Sequence, residues 1–285
     1  MAVPLLMSAL PITDLSRLCL HTVTTKPWPL AVAAKNYAAA GLKGITVWRD
    51  SAQNHPDGIK DAGQLCRDEG LEIVSYVRGG FFTALDGAGR QAAIDDNKRI
   101  IDEAAALGAP LIVLVCGATP GQSLFTSRAQ IAGGLAAVLP HARASGIKLG
   151  IEPLHPMYAD SRCAVNSATQ ALDMALALKD DYIGVTIDVV HLWWDDRLQA
   201  EIARCDREGK LFSFHICDWK NQPCDMLNDR GLMGEGVINV PEIRGWIEQA
   251  GFRGFNEVEI FSNRYWSMDQ GEFLKQIIAA YRTKS

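Results

Sequence analysis

Residues 148–191, KLGIEPLHPMYADSRCAVNSATQALDMALALKDDYIGVTIDVVH, contain the pattern that decides the fold. Two short apolar runs, Lys148–Pro153 and Gly184–Val189, predict β-strands. Between them, Asn166–Leu178 has the Ala- and Leu-rich spacing of a helix. Strands that alternate with helices in this way are typical of parallel strands joined by crossover helices. This stretch therefore predicts one strand–helix–strand unit of an α/β protein.

The same alternation extends over the whole chain. Apolar, β-branched runs predict eight strands, at Leu18–Val23, Gly44–Trp48, Glu72–Val77, Leu111–Cys116, Lys148–Pro153, Gly184–Val189, Leu211–Cys217 and Asn256–Phe261. Helical spacing is clearest at Ala92–Leu107, Arg128–Ala144, Asn166–Leu178 and Pro241–Ala250. Eight units close a parallel barrel; an open doubly wound sheet is the main alternative, but no G-x-G-x-x-G follows the first strand. We therefore predict a single (β/α)8 TIM barrel domain over residues 1–285, with its active site at the C-terminal ends of the strands.

Composition and charge argue against several classes of protein. With 48% hydrophobic and 21% charged residues, the chain has material for a large core and nothing of a disordered protein. Its net charge of −5 argues against nucleic acid or a membrane surface as a general partner. No apolar run approaches the ~20 residues that are needed to span a bilayer.

The N-terminus and the cysteines predict a cytoplasmic protein. The apolar stretch in MAVPLLMSALPITDLSRL has no basic region before it and is interrupted by Asp14 and Arg17, so we expect no secretory signal. The seven cysteines are scattered and never form a C-x-x-C pair. That usage fits a reducing compartment and argues against a disulfide framework and a structural zinc site.

Four successive predicted strands end on a metal-binding residue inside apolar sequence. They read GIEPLH (Glu152), VTIDVVH (Asp188), FSFHICD (His215) and NEVEIF (Glu259). Barrel strands are buried on both faces, and a buried charge costs several kcal/mol unless it is paired or bound to a metal. Because the C-terminal strand ends ring one mouth of the barrel, the four side chains are expected to converge there.

Three carboxylates and one imidazole predict a site for one divalent metal ion. This oxygen-rich set favours Mn²⁺ or Mg²⁺, Mn²⁺ first, and leaves Co²⁺ or Zn²⁺ open. Open coordination positions would take two oxygens of a substrate. The alternative is a buried salt-bridge network without a metal, for which Arg162 and Lys148 are the nearby cations.

In order and context these residues resemble the xylose isomerase-like (sugar phosphate isomerase/epimerase) superfamily of TIM barrels. In its sugar epimerases, Glu, Asp, His and Glu from four successive strands hold the metal. IEPLH, IDVVH, FHICD and VEIF match that order at Glu152, Asp188, His215 and Glu259. The superfamily also includes hydroxypyruvate isomerases, inosose and dehydroshikimate dehydratases and endonuclease IV enzymes; six histidines are too few for the last.

The sequence departs from the epimerase pattern at two positions. Those enzymes usually carry an acidic residue about six positions after the first glutamate, where Tyr158 stands here. They often carry an arginine about six positions after the histidine ligand, where Asn221 stands. A simple match to a ketose 3-epimerase is therefore not expected.

The resemblance implies a mechanism. The metal chelates a carbonyl and a neighbouring hydroxyl of a small polyhydroxylated substrate and stabilises an enediolate. Glu152 and Glu259 then act as both ligands and acid/base pair. Reprotonation gives an isomer or epimer, whereas loss of a β-hydroxyl gives a dehydratase.

Five further residues are candidates for substrate binding: His191, His155, Arg78, Trp48 and Arg230. His191 follows Asp188 in the D-x-x-H spacing of the family's substrate-contacting histidine, while His155 either faces the pocket or caps its loop. Arg78 precedes two glycines and either binds a carboxylate or phosphate or pairs with a core carboxylate. Trp48 is expected to line an apolar wall, and Arg230 to clamp substrate from a glycine-containing loop. Glu257, on the same strand face as Glu259, is a candidate for a deeper supporting partner.

The function predicted first is a metal-dependent isomerase or epimerase of a sugar, keto-sugar or sugar acid. A lyase on the same scaffold is the runner-up: an inosose- or dehydroshikimate-type dehydratase, or a decarboxylase of a keto-sugar acid. A non-catalytic sugar-binding barrel is the third candidate. The oligomeric state, dimer or tetramer if not monomer, stays open.

Overall fold

The computed structural model describes residues 12–285. Most of the apolar N-terminal stretch that was weighed as a secretory signal lies outside this range. Eight parallel strands close a barrel in the order of the sequence. Their bounds are β1 Leu18–His21, β2 Gly44–Trp48, β3 Glu72–Gly80, β4 Leu111–Val115, β5 Lys148–Ile151, β6 Ile183–Asp188, β7 Leu211–Ile216 and β8 Asn256–Val258. The barrel closes where Leu18 of β1 pairs with Asn256 of β8. The prediction of a single (β/α)8 TIM barrel is confirmed.

Helices connect the strands around the outside. They are α1 Leu30–Ala39, α2 Arg49–Gln53, α3 Ile59–Asp68, α4 Gly87–Leu107, α5 Leu124–Ala144, α6 Ala168–Ala177, α7 Val189–Leu192, α8 Leu198–Arg207, α9 Val240–Gln249, α10 Asn263–Trp266 and α11 Gln270–Lys284, with a 3₁₀ turn at Pro156–Tyr158. Helix α5 begins at the N-cap Ser123, whose hydroxyl accepts the backbone N–H of Thr126. It ends at Ala144, and Gly146, two residues later, has a φ of +72° that suits glycine and reverses the chain toward β5. Within residues 12–285, no helix is both long and apolar enough to cross a membrane.

The strands are buried on both faces because they lie inside a ring of helices. Every residue of β4 (LIVLV) and of β6 (IGVTID) is buried. Strand β3 runs three residues beyond its predicted end at Val77. Gly79 and Gly80 pair with Leu114 and Val115 of β4. Glycine has low strand propensity, so composition gave no sign of this extension.

The ends of the later strands set the position of the four predicted ligands. Strands β5 and β8 end just before Glu152 and Glu259, whereas Asp188 is the last residue of β6 and His215 the penultimate residue of β7. Asp188 is paired with His215 across β6 and β7, and His215 with Glu257 across β7 and β8. The register therefore places Asp188 and His215 at one level, and Glu259 follows two residues beyond that level on the chain of β8.

Candidate metal centre

Glu152, Asp188, His215 and Glu259 converge as the strand ends predict. Each offers one ligand atom, and these four atoms all lie within 4.8 Å of one another. All four side chains are buried; the two glutamates, at 4% and 3% exposure, are the only two with any access to the mouth. The arrangement places three carboxylates and an imidazole around a single point inside a low-dielectric barrel.

Several polar atoms of this group have no hydrogen-bond partner among the described residues. They are Oε1 of Glu152 and both ring nitrogens of His215. Glu152 Oε1 lies 3.2 Å from His215 Nδ1, but the two do not meet with the geometry of a hydrogen bond. Buried polar groups are nearly always partnered, and the donor set is one that divalent ions prefer. The residues therefore fit a divalent metal ion.

A single guanidinium enters the group from the loop after β7. Arg230 Nη1 lies 3.2 Å from Asp188 Oδ2 and 2.7 Å from Glu259 Oε2. The cations expected for a metal-free network are placed elsewhere. Lys148 Nζ lies 4.8 Å from the ring centroid of Phe212. Arg162 makes no ion pair with these carboxylates in the described chain. The charge that reaches the ligands comes from Arg230, which had been predicted as a substrate clamp.

Asp218 anchors the loop that carries Arg230. Its carboxylate accepts four backbone N–H groups at 2.8–2.9 Å, from Trp219, Gly234, Gly236 and Ile238. Its backbone also exchanges two hydrogen bonds with Gly231, the residue after Arg230. The carboxylate thus binds backbone N–H groups on both sides of Arg230 in the chain and holds the loop together. The backbone of Arg230 is held further by Phe261, whose carbonyl accepts the Arg230 N–H at 2.9 Å.

A second buried layer lies beneath the four ligands and is centred on Glu257. This carboxylate accepts hydrogen bonds from the hydroxyls of Thr46, Ser75 and Ser213. His21, at the end of β1, lies between the two layers: its Nε2 is 3.3 Å from Glu257 Oε2 and its Nδ1 is 3.1 Å from Glu259 Oε1. Glu257 therefore supports the site from below, as predicted, and does so together with His21.

The pKa values reflect crowded negative charge. Burial, with the carboxylates of Glu259 and Glu152, raises the pKa of Asp188 to about 7 against the attraction of Arg230. Burial opposes the charged form of His215, but Glu257 and Glu152 outweigh it and raise the His215 pKa to about 10. Burial would also raise the pKa of Glu259, yet the charges of Arg230 and His21 hold it well below its usual value. The group stabilises added positive charge, which is the electrostatic requirement of a cation site.

One cavity at the barrel mouth brings together six of the nine predicted residues: Trp48, Arg78, Glu152, His191, Arg230 and Glu259. Asp188 and His215 are fully buried beside these glutamates. His155 does not line this cavity. Its Nδ1 accepts the backbone N–H of Met157, and its ring packs 4.9 Å from that of Trp219. Of its two predicted positions, His155 occupies the one that caps the loop.

His191 and Trp48 are each held by a neighbour. The Nδ1 atom of His191 lies 3.3 Å from the backbone N–H of His155, and its Nε2 lies 3.1 Å from Arg230 Nη2. Burial and then Arg230 hold the pKa of His191 well below its usual value, so the ring is neutral and accepts at only one of these nitrogens. The indole Nε1 of Trp48 lies 3.3 Å from His21 Nδ1, and the indole ring meets Phe261 edge-on.

Sequence reasoning did not single out three residues that the structure brings to the site. His21 ends β1 in the same way that the ligands end later strands, and the LCLH pattern carried that signal. Arg162 was considered only as a counter-ion, and Tyr158 only as a departure from a pattern, yet both line the cavity. Nothing in their local sequence indicates this, because both lie in the irregular segment between β5 and α6.

The chain is similar to three proteins of particular interest. It is 27% identical over 202 residues to an inosose isomerase of Halalkalibacterium halodurans, covering 68% of each chain. It is 26% identical over 235 residues to a 3-dehydroshikimate dehydratase of Pseudomonas aeruginosa, covering 80% of this chain but 35% of that one. The crystal structure of a Sinorhizobium meliloti 1021 protein superposes with a TM-score of 0.91 at 44% identity, over 95% of this chain and 99% of that one.

Two of these relatives bear the names of enzymes, an isomerase and a dehydratase. Over residues 34–279 the sequence matches the family described as the xylose isomerase-like TIM barrel. This match covers most of the chain and includes all four strand ends that converge at the barrel mouth. The chain therefore belongs to the xylose isomerase-like TIM barrel family.

Proposed function

We propose that the protein is a divalent-metal-dependent isomerase or epimerase of a small sugar, keto-sugar or sugar acid. The observation that carries the proposal is the convergence of Glu152, Asp188, His215 and Glu259, with buried ligand atoms that lack hydrogen-bond partners. The similarity to inosose isomerases supports the reaction class. Mn²⁺ is the ion we expect first, since carboxylate ligands suit it, with Mg²⁺, Co²⁺ and Zn²⁺ as alternatives.

When bound, the metal would supply a Lewis acid that polarises a substrate carbonyl and stabilises negative charge on the neighbouring oxygens. The two glutamates would move the proton. Glu152 lines the cavity, and its buried Oε1 has no hydrogen-bond partner among the described residues, so one carboxylate oxygen could hold the metal while the other accepts a proton from carbon. Glu259 has His21 at one oxygen and Arg230 at the other. Both neighbours stabilise its ionised form, which suits Glu259 to the role of metal ligand; its role as the second acid/base group is the one that the family resemblance implies.

Other residues would bind the substrate and exclude water. Trp48 and Phe261 form an apolar edge of the cavity. The Nε2 atom of neutral His191 lies 3.1 Å from Arg230 Nη2. A substrate hydroxyl could take the place of either group in this contact. Arg230 would hold the carboxylates of Asp188 and Glu259 at a fixed spacing during turnover. His155 is a weaker candidate for substrate contact because its ring nitrogen is used to cap the 3₁₀ turn.

A lyase is the second candidate function. The observation that favours it is the similarity to a 3-dehydroshikimate dehydratase, which extends over 80% of this chain. Proton removal by the same glutamate would serve both reactions. The two functions differ in their products, since an isomerase conserves the substrate mass and a dehydratase loses water.

The test is metal content together with turnover. We expect about one Mn, Co, Mg or Zn per chain by elemental analysis, and loss of that metal in a Glu152→Gln/Glu259→Gln double variant. Each single variant should keep its fold and lose turnover by about 10²–10⁴-fold, the usual worth of an acid/base group. The control is Glu69→Gln, which removes an exposed carboxylate at the end of α3. Inososes, keto-sugars, sugar acids and dehydroshikimate would be screened by mass spectrometry for mass-neutral against mass-losing products.

Two outcomes would contradict the proposal. Absence of metal from the wild-type protein, even after soaking, would leave the four residues as a charge network built around Arg230. If either single variant binds metal and keeps near wild-type turnover, the acid/base role of the substituted glutamate would be wrong, although the proposed metal site would stand.

A further inference from the structure

We propose that Arg78 and Arg162 form a binding site for an oxyanion of the substrate, a carboxylate or a phosphate. The inference rests on the proposed function and deepens it, because it restricts the substrate to charged sugar-like molecules. Neutral sugars and cyclitols would then be poor ligands.

Both arginines border the cavity that contains the two glutamates. Arg78 enters from β3, and its guanidinium carbon lies 4.4 Å from the centre of the Phe81 ring. Arg162 enters from the segment between β5 and α6, and its guanidinium carbon lies 5.7 Å from the centre of the Tyr158 ring. Aromatic rings thus support both guanidiniums and hold them on the wall of the cavity.

Neither guanidinium has an acidic partner. Within residues 12–285, Arg78 and Arg162 make no ion pair and no side-chain hydrogen bond, and Nε of Arg162 is buried without a partner. Residues 1–11 contain no Asp or Glu that could pair with them. Arg49 shows the usual arrangement: it is the first residue of α2 and binds both Asp96 and Glu103. Two half-buried arginines in one cavity thus lack the compensating negative charge that buried cations usually have.

The charges at the mouth lead to the same conclusion. Glu152, Asp188 and Glu259 together carry three negative charges. A divalent ion and Arg230 would balance these, and His21 would balance Glu257 in the layer below. Arg78 and Arg162 then remain as two uncompensated positive charges beside the metal. Burial, followed by the like charge of Arg162, lowers the pKa of Arg78, and the carboxylates of Glu152, Glu259 and Asp50 only partly offset this repulsion. An oxyanion placed between them would relieve that repulsion.

The side-chain type favours an oxyanion over a hydroxyl. Guanidinium presents paired N–H donors that match the two oxygens of a carboxylate or of a phosphate. Sugar hydroxyls are bound equally well by neutral groups, which avoid the cost of burying two like charges. The structure therefore distinguishes a charged substrate from a neutral one, although carboxylate and phosphate share the same recognition chemistry.

Binding of three matched hexoses tests the proposal. D-glucose, D-glucuronate and D-glucose 6-phosphate carry a hydroxyl, a carboxylate or a phosphate at the same end of the ring. Their affinities would be measured by calorimetry on the Mn²⁺-loaded protein and on Arg78→Gln and Arg162→Gln. Arg99→Gln is the control, because Arg99 is an exposed arginine outside the cavity that pairs with Asp96.

We expect at least one of the two anions to bind the wild-type protein about tenfold or more tightly than glucose, as charge-assisted hydrogen bonds predict. Tighter binding of glucuronate would identify a carboxylate site, and tighter binding of the phosphate a phosphate site. Each cavity variant should weaken that anion about tenfold and leave glucose unchanged. Arg99→Gln should change neither.

Two results would overturn the inference: anions that bind no better than glucose, or variants that weaken glucose as much as the anion. Metal content would be measured on the same samples. If metal is present but neither anion binds more tightly than glucose, only the oxyanion site is contradicted. If metal is absent, the proposed function is contradicted, and the affinities of the anions relative to glucose still test the oxyanion site. Circular dichroism melting would establish that each variant is folded.

Discussion

Arg230→Met tests whether this arginine and the metal compensate the same carboxylates. The substitution keeps an unbranched side chain of similar length and removes the positive charge. In the metal-free protein, Asp188 and Glu259 would then face each other without the guanidinium that lies 3.2 Å from one and 2.7 Å from the other. Removing one partner of a buried ion pair costs about 3–5 kcal/mol. A domain with ~5–15 kcal/mol of stability would remain folded but would unfold much more easily.

Metal should reverse most of this loss. A divalent ion between the carboxylates would replace the missing charge, and it would no longer be repelled by a guanidinium in contact with its own ligands. At an effective dielectric constant of ~20, two unit charges ~4 Å apart interact by about 4 kcal/mol, which sets the scale of that repulsion. We therefore expect saturating Mn²⁺ to reduce the stability difference between variant and wild type to below about 2 kcal/mol, and Mn²⁺ to bind the variant more tightly.

The assay is urea unfolding of both proteins in excess EDTA and in excess Mn²⁺. Arg197→Met is the matched control, because Arg197 also pairs with a buried glutamate, Glu201 at 2.7 Å, but is itself largely exposed and belongs to α8 rather than to the cavity. Its loss should cost about 1 kcal/mol or less, with or without metal. An equal deficit for Arg230→Met in EDTA and in Mn²⁺ would refute the reasoning and assign Arg230 a packing role alone.

Two further predictions concern the ligands and the loop. Asp188→Asn and His215→Ala should first weaken metal binding, so that excess Mn²⁺ restores turnover; loss of turnover that no Mn²⁺ concentration recovers would contradict their role as ligands. Asp218→Ala removes the acceptor of four backbone N–H groups and should lower the free energy of unfolding by about 3 kcal/mol, since hydrogen bonds to a charged group are worth ~1.5–3 kcal/mol each and are not additive. An unchanged urea midpoint would show that the loop is held by other contacts.

The barrel and the four strand-end residues were predictable because both follow from local sequence. Buried parallel strands are apolar, β-branched runs in the sequence. Charged residues in or directly after such runs are easily recognised, as at Glu152, Asp188 and Glu259. All strands of a barrel end at the same rim, so a residue at the end of a predicted strand can be placed at the mouth from the sequence alone. The position of a loop residue relative to the mouth cannot be predicted in this way.

Arg230 illustrates why the remainder of the site was harder to predict. The resemblance led us to look for an arginine about six positions after His215, where Asn221 stands. A guanidinium does reach the ligands, but from a later point in the loop that the Asp218 carboxylate helps to hold in place. The hydrogen bonds that shape this loop join residues up to twenty positions apart. Periodicity and composition do not register contacts of that kind.

Tyr158 connects the unusual sequence with the unpaired arginines. The epimerases resembled by this chain usually carry an acidic residue at the equivalent position. An acid there would lie beside Arg162, whose guanidinium faces the Tyr158 ring, and would neutralise it. Tyrosine instead leaves the charge of Arg162 free and donates its hydroxyl to the carbonyl of Met226 on the neighbouring loop. A carboxylate at this position would pair with Arg162, so Tyr158→Glu should reduce the proposed preference for anions while leaving the metal ligands below unaltered.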